Sequence, residues 1–172
     1  VRLRPEFADA TSDLGLVLAK LKRWDQAAEM FQGLILLRPN KADGHIHLGA
    51  VLRELNKLDE SAEHLQTAIG LKPDDPGALN SLGLTLQQIG KLNDAEQHLR
   101  RVIELMPEHA DAHNNLGITL AQLNRFDEAI VHYDRALELK PELCGTLDYK
   151  IRAYPWHELM THPLEMGLMV WL

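Results

Sequence analysis

The chain has 172 residues, 25 acidic against 18 basic, and its formal net charge of −7 argues against a nucleic-acid backbone as the natural partner. Apolar residues make up 45% of it, enough to bury seams between helices, yet no run reaches the ~18 consecutive apolar residues needed to cross a bilayer. The single cysteine, Cys144, excludes an internal disulfide, and with no signal-peptide pattern the expected location is cytoplasmic, without membrane attachment.

The first segment, Val1-Arg2-Leu3-Arg4-Pro5, aligns with Ile35-Leu36-Leu37-Arg38-Pro39 and with Ile69-Gly70-Leu71-Lys72-Pro73. Residues 1–7 are therefore expected to end a preceding, truncated unit, and the chain to be a fragment of a longer array. From there a pattern repeats every 34 residues without insertion: Leu14-Gly15, Leu48-Gly49, Leu82-Gly83 and Leu116-Gly117 keep the step, as do Pro39, Pro73, Pro107 and Pro141. A fixed period of this length marks a stacked-repeat protein rather than a closed globular core. The units are placed at 8–41, 42–75, 76–109 and 110–143.

Each unit carries apolar residues at helical spacing on both sides of a short break. The breaks read Leu21-Lys22-Arg23-Trp24-Asp25, Leu55-Asn56-Lys57-Leu58-Asp59, Ile89-Gly90-Lys91-Leu92-Asn93 and Leu123-Asn124-Arg125-Phe126-Asp127. Asn56, Gly90 and Asn124 suit the left-handed conformation that ends a helix. Asp25, Asp59, Asn93 and Asp127 are expected as N-caps of the next helix, worth about 1 kcal/mol each, and Asp75-Pro76 supplies a cap followed by a proline at the first helical position. Glycine inside a helix costs about 1 kcal/mol relative to alanine, so the return of Gly15, Gly49, Gly83 and Gly117 calls for a close helix crossing, expected opposite Ala27, Ser61, Ala95 and Ala129.

After Pro141, Leu143, Leu147, Ile151 and Tyr154 fall on one face, which predicts a capping helix over 144–154. Residues 155–172 include Trp156, Met160, Leu164, Met169 and Trp171, too apolar for a solvated tail. They are expected to fold back on the capping helix, to mediate self-association with a second copy, or to begin a further domain.

Nine histidines raise the question of a metal, and His64, His98 and His132 recur at the repeat step. Equivalent positions on stacked helices lie about 8–10 Å apart per layer, too far to share one ion, so these three are expected to form a solvated row, and no metal or other cofactor is predicted. His109 and His113 share a face without further ligands to complete a site. No nucleophile–base pair, phosphate-cradling glycine loop or paired-carboxylate motif stands in a supporting context, and the chain is not expected to be an enzyme.

The order Leu, Gly, large apolar, small, aromatic or Leu, small, Pro resembles the tetratricopeptide repeat. The last unit shows it as Leu116, Gly117, Leu120, Ala129, Tyr133, Ala136 and Pro141, while Thr11, His45, Leu79 and His113 stand where the family often has Trp. The resemblance implies an all-α, right-handed superhelical solenoid of helix-turn-helix units whose first helices line a concave groove. Carried over by register, the groove would present Asp13, Leu16 and Lys20; Asp43, Ile46, His47, Ala50 and Arg53; Asn80, Ser81, Leu84, Gln87 and Gln88; and Asp111, Asn114, Asn115, Ile118 and Gln122. The carboxylate-gripping clamp of one subtype is absent, because Ser12, Ile46, Asn80 and Asn114 pair with Leu16, Ala50, Leu84 and Ile118. The resemblance implies a protein–protein interaction scaffold that binds a peptide or partner domain in this groove. Its Asn-Asn-Leu-Gly phrase also resembles the repeat region of protein O-glycosyltransferases, which implies the alternative of a non-catalytic, substrate-selecting arm of a larger enzyme.

Overall fold

The computed structural model describes residues 5–143, so the predicted capping helix and apolar tail lie outside the described residues. The chain divides between Pro107 and Glu108 into two compact units. The first holds α1 (Pro5–Lys20), α2 (Trp24–Leu37), α3 (Ala42–Glu54), α4 (Leu58–Leu71), α5 (Pro76–Ile89) and α6 (Leu92–Leu105). The second holds α7 (Ala110–Gln122) and α8 (Phe126–Leu139). The fold is all-α, with no strand among the described residues, and no helix there is long and apolar enough to cross a membrane. Helix α1 takes in residues 5–7, which the sequence had placed in a preceding unit.

The chain reverses within each helix pair through a left-handed residue: Asn56 (φ 59°), Gly90 (φ 89°) and Asn124 (φ 61°), as the sequence predicts, and also Lys22 (φ 57°). A β-carbon costs roughly 1–2 kcal/mol in that conformation unless, as in Asn, a short polar side chain bonds locally. Lys22 therefore carries strain that its counterparts avoid.

The N-cap expectation is corrected at four places. Helices α2, α4, α6 and α8 begin at Trp24, Leu58, Leu92 and Phe126, with Arg23, Lys57, Lys91 and Arg125 in the cap position and no side-chain cap bond. The reason lies in the tight turn. The carbonyls of Arg23, Lys57, Lys91 and Arg125 already accept from the amides of Ala27, Ser61, Ala95 and Ala129 at 3.0–3.1 Å, so the helix is under way before Asp25, Asp59, Asn93 or Asp127 is reached. The three aspartates act instead as first-turn charges favourable to the helix dipole. Asp75 does cap as expected, accepting from the Ala78 amide at 3.0 Å and from Lys72 Nζ at 2.7 Å. His109 caps α7, its Nδ1 accepting from the Ala112 amide at 3.1 Å.

The glycines mark close crossings, but the group they admit differs from the expected alanine. A β-carbon on Gly15 would lie 2.6 Å from the Phe31 ring, and one on Gly117 2.5 Å from the Tyr133 ring. Leu65 and Leu99 fill the same role against Gly49 and Gly83. The small residue beside them is in contact too: Ser61 Oγ donates to the Gly49 carbonyl at 2.7 Å and lies 3.1 Å from Thr85 Oγ1. The cleared space is thus taken by the large side chain of the second helix, which seals each pair.

Within the first unit α2 packs on α3 and α4 on α5, and α3 also touches both α1 and α5. Contacts among the second helices α2, α4 and α6 are sparser, which makes α1, α3 and α5 one layer and α2, α4 and α6 the other. Ala8, Leu18, Ala27, Phe31, Leu34, Leu48, Val51 and Leu52 form the seam between the first helices and their partners.

Candidate binding surface

The layer formed by α1, α3 and α5 carries every groove residue predicted for the first unit. On α1, Asp13, Leu16 and Lys20 are exposed; on α3, Asp43 is exposed and Ile46, His47, Ala50 and Arg53 are half-buried; on α5, Asn80, Ser81, Leu84 and Gln87 are half-buried and Gln88 is exposed. None is fully buried, whereas Leu48, Leu52, Leu82 and Leu86 on the same helices turn into the seam. A helix period of 3.6 residues separates the two sets cleanly. In the second unit, α7 shows the same division: Asp111 and Gln122 are exposed and Asn114, Asn115 and Ile118 half-buried, with Leu116 and Leu120 buried.

The surface of α1, α3 and α5 is polar with an apolar line through it. Ile46, Ala50 and Leu84 supply the line, flanked by Asn80, Gln87 and the charges of Asp43 and Arg53. His47 leans toward the outer layer, its ring centroid 5.0 Å from that of Phe31. Burial there pushes its pKa down, and the nearby Asp43 carboxylate only partly opposes that. Arg53 donates to Glu54 Oε1 at 2.8 Å, while its Nε is buried without a hydrogen-bond partner. At the rim, a pocket of about 90 Å³ is lined by Asp9, Ser12, Leu34, Arg38, Lys41, Asp43 and Gly44, with Arg38 held to Asp9 at 2.9 Å. The contribution of Arg38 and Lys41 to this face was not foreseen, because both lie in the connection between units rather than on a first helix.

The expected row of solvated histidines is also corrected. His64 Nδ1 lies 3.0 Å from His45 Nδ1, and His132 Nδ1 lies 3.0 Å from His113 Nδ1. Both contacts bridge the first and second helices of one pair. Burial, followed by the neighbouring His64, lowers the pKa of His45, and burial lowers that of His98. The signal was present in the sequence as histidine at both the fourth and the twenty-third place of the second and fourth units. The pairing joins facing positions within one unit, which the 34-residue row of equivalent positions does not display. Among the described residues no group of three or more His, Cys, Asp or Glu side chains is arranged to hold a metal.

Profiles described as tetratricopeptide or TPR repeat match residues 11–41, 49–90, 77–106 and 110–143. No curated protein gives a match. Among solved structures, the chain is similar to YrrB, described as a TPR protein with an unusual peptide-binding site, at 29% identity over 83% of this chain and 74% of that one, with a TM-score of 0.71. It is similar to MamA of MSR-1 at 27% identity over 92% of this chain and 91% of the other, with a TM-score of 0.74. PilF of Pseudomonas aeruginosa, 22% identical over 86% of this chain and 68% of its own, shares the fold with a TM-score of 0.80. With the helix pairs, the glycine crossings and the repeat matches in agreement, the chain belongs to the tetratricopeptide repeat family.

Proposed function

We propose that this chain is a non-catalytic protein-interaction scaffold that holds an extended or helical peptide, or the equivalent segment of a partner domain, along α1, α3 and α5. The observation that carries this reading is the division of the first helices into a buried seam and a continuous half-buried strip. Ile46, Ala50 and Leu84 supply apolar contact there, and Asn80, Ser81 and Gln87 supply hydrogen-bonding side chains. Half-buried amides and small apolar residues side by side suit a peptide whose backbone needs hydrogen bonds and whose side chains need shallow pockets. The likeness to YrrB, described as having a peptide-binding site, supports the same class of ligand. A net charge of −7 favours partners without strong negative charge.

A peptide selected from a displayed random library against the chain provides the test. Ala50→Arg or Leu84→Arg should weaken its binding at least tenfold, as read by fluorescence anisotropy, the loss of about 1.4 kcal/mol. Gln66→Arg, on the exposed side of α4, should leave it unchanged. Equal affinity for all three variants would remove α1, α3 and α5 as the binding surface.

A further inference from the structure

We propose that His45 and His64 form a proton-operated latch between α3 and α4, closed while the pair holds at most one extra proton and released when both rings are charged. Release loosens the part of the groove that α3 carries, a consequence that rests on the binding surface proposed above. The two Nδ1 atoms face each other at 3.0 Å, with ring centroids 5.2 Å apart and an interplanar angle of 39°. His113 and His132 repeat the arrangement between α7 and α8, again at 3.0 Å and 5.2 Å. In the first repeat Thr11 and Met30 take those two places, and in the third Leu79 and His98, so neither has a ring pair.

A hydrogen bond at that distance needs a proton on one Nδ1 and a lone pair on the other. The neutral rings are therefore opposite tautomers, one protonated at Nδ1 and the other at Nε2. One extra proton keeps the bond, because an imidazolium still donates from Nδ1 to its neutral partner, and the charge on the donor strengthens it. A second proton abolishes it: both Nδ1 atoms then carry hydrogens, and two like charges face each other. The contact switches on the second proton, and the two rings titrate as one unit.

The surroundings set the order of events. His64 is half-buried and within reach of solvent, whereas His45 is 9% exposed, so His64 takes the first proton and His45 resists the second. Burial, and then the charge of His64, hold the pKa of His45 below its ordinary value. The other titratable groups around it are Asp43 and His47 on α3 itself, the acidic residues and Lys20 of α1, Asp25 and Glu29 of α2, and Asp59, Glu60 and Glu63 of α4, with none on α5. Of all these neighbours only His64 shifts the His45 ring. A folded-state pKa below about 6.5 means that the latch is closed above that pH and is lost as the pH falls below it. His45 directly precedes Ile46 and His47, so a first turn of α3 untied from α4 presents these groove residues less firmly.

The test reads the ring nitrogens of the isotopically labelled, unaltered chain by nuclear magnetic resonance. At pH 7.5 His45 and His64 should show opposite tautomers and a coupling between their Nδ1 nuclei across the hydrogen bond. The coupling should vanish by pH 5 as both rings become charged, with helical circular dichroism intact. His64→Gln should remove this coupling and leave that of His113 with His132, which assigns the signals. Like tautomers at pH 7.5, or a pair still holding a single extra proton at pH 5, would overturn the latch. Its hold on the groove is read by anisotropy with a library-selected peptide that lacks His, Asp and Glu. From pH 7.5 to 5 the affinity should fall about threefold, the size expected for one hydrogen bond. The same ratio is expected in His47→Gln, whatever its starting affinity, and no fall in His64→Gln, whose amide donates or accepts at either pH. A fall that persists in His64→Gln, or disappears in His47→Gln, would detach the latch from the groove. Failure of every peptide to bind would remove the groove reading alone, with the ring spectra still deciding the latch.

Discussion

Helices α1 and α3 spell almost the same apolar pattern, and their fates differ. Leu48 and Val51 on α3 are 1% and 3% exposed; Leu14 and Val17, their counterparts on α1, are 50% and 52% exposed. The cause lies outside both helices: α2 covers that face of α3, and no described helix covers it on α1. Gly15 and Gly49, by contrast, are both buried and both meet the large side chain of their own second helix. A repeat therefore encodes its internal seam by itself, whereas burial of its other face belongs to the neighbour.

Leucine truncation should expose the difference most strongly. Leu48→Ala should destabilise the chain by about 2–5 kcal/mol through the cavity it leaves, and Leu14→Ala by less than about 1 kcal/mol, read as shifts in chemical-denaturation midpoint. Equal losses would mean that α1 is covered in solution. The glycines should behave alike, since their contacts are internal to each repeat. Gly15→Leu and Gly49→Leu should each cost about 1–3 kcal/mol through overpacking, and a mild effect at Gly15 alone would break the claim that the seam is self-contained.

At the turns the asymmetry reverses. Lys22→Gly should stabilise by about 1 kcal/mol by removing a β-carbon from left-handed backbone, while Asn56→Gly should change little because Asn already tolerates it. A gain measured equally at both positions would contradict the strain assigned to Lys22.

The smallest expected effect is that of pH. The second repeat has His45 where the first has Thr11. A folded-state pKa below the ordinary value means that the unfolded chain binds more protons, so stability rises with pH. The contribution of His45 is full above its ordinary value of about 6.5 and is lost as the pH falls below it. The melting temperature should drop between pH 7.5 and 5.5, and less so in His45→Thr. Part of the drop should remain, because burial also lowers the pKa of His47 and His98. An acid response identical in the variant would remove His45 from the account.

Much of this was legible in the sequence because each repeat restates its local rules. The helix pairs, the left-handed Asn56, Gly90 and Asn124 and the Asp75 cap follow from spacing and residue type, and the outward positions of the first helices follow from the register of the family resemblance. What was not legible depends on partners outside the local window. Asp25 looks like a cap until the backbone bond from Ala27 to Arg23 starts the helix two residues earlier. Ala27 looks like the natural neighbour of Gly15 until Phe31 reaches into the space. The histidine pairs needed the facing of two helices, which a periodic reading along one row does not supply.

The most direct test of the binding surface is amide chemical-shift mapping with the library-selected peptide. The largest shifts are predicted at Ile46, Ala50, Asn80, Leu84 and Gln87, with α2 and α4 undisturbed. Shifts centred instead on Leu14 and Val17, the uncovered face of α1, or on the second helices, would contradict the assignment of α1, α3 and α5 as the surface that holds the partner.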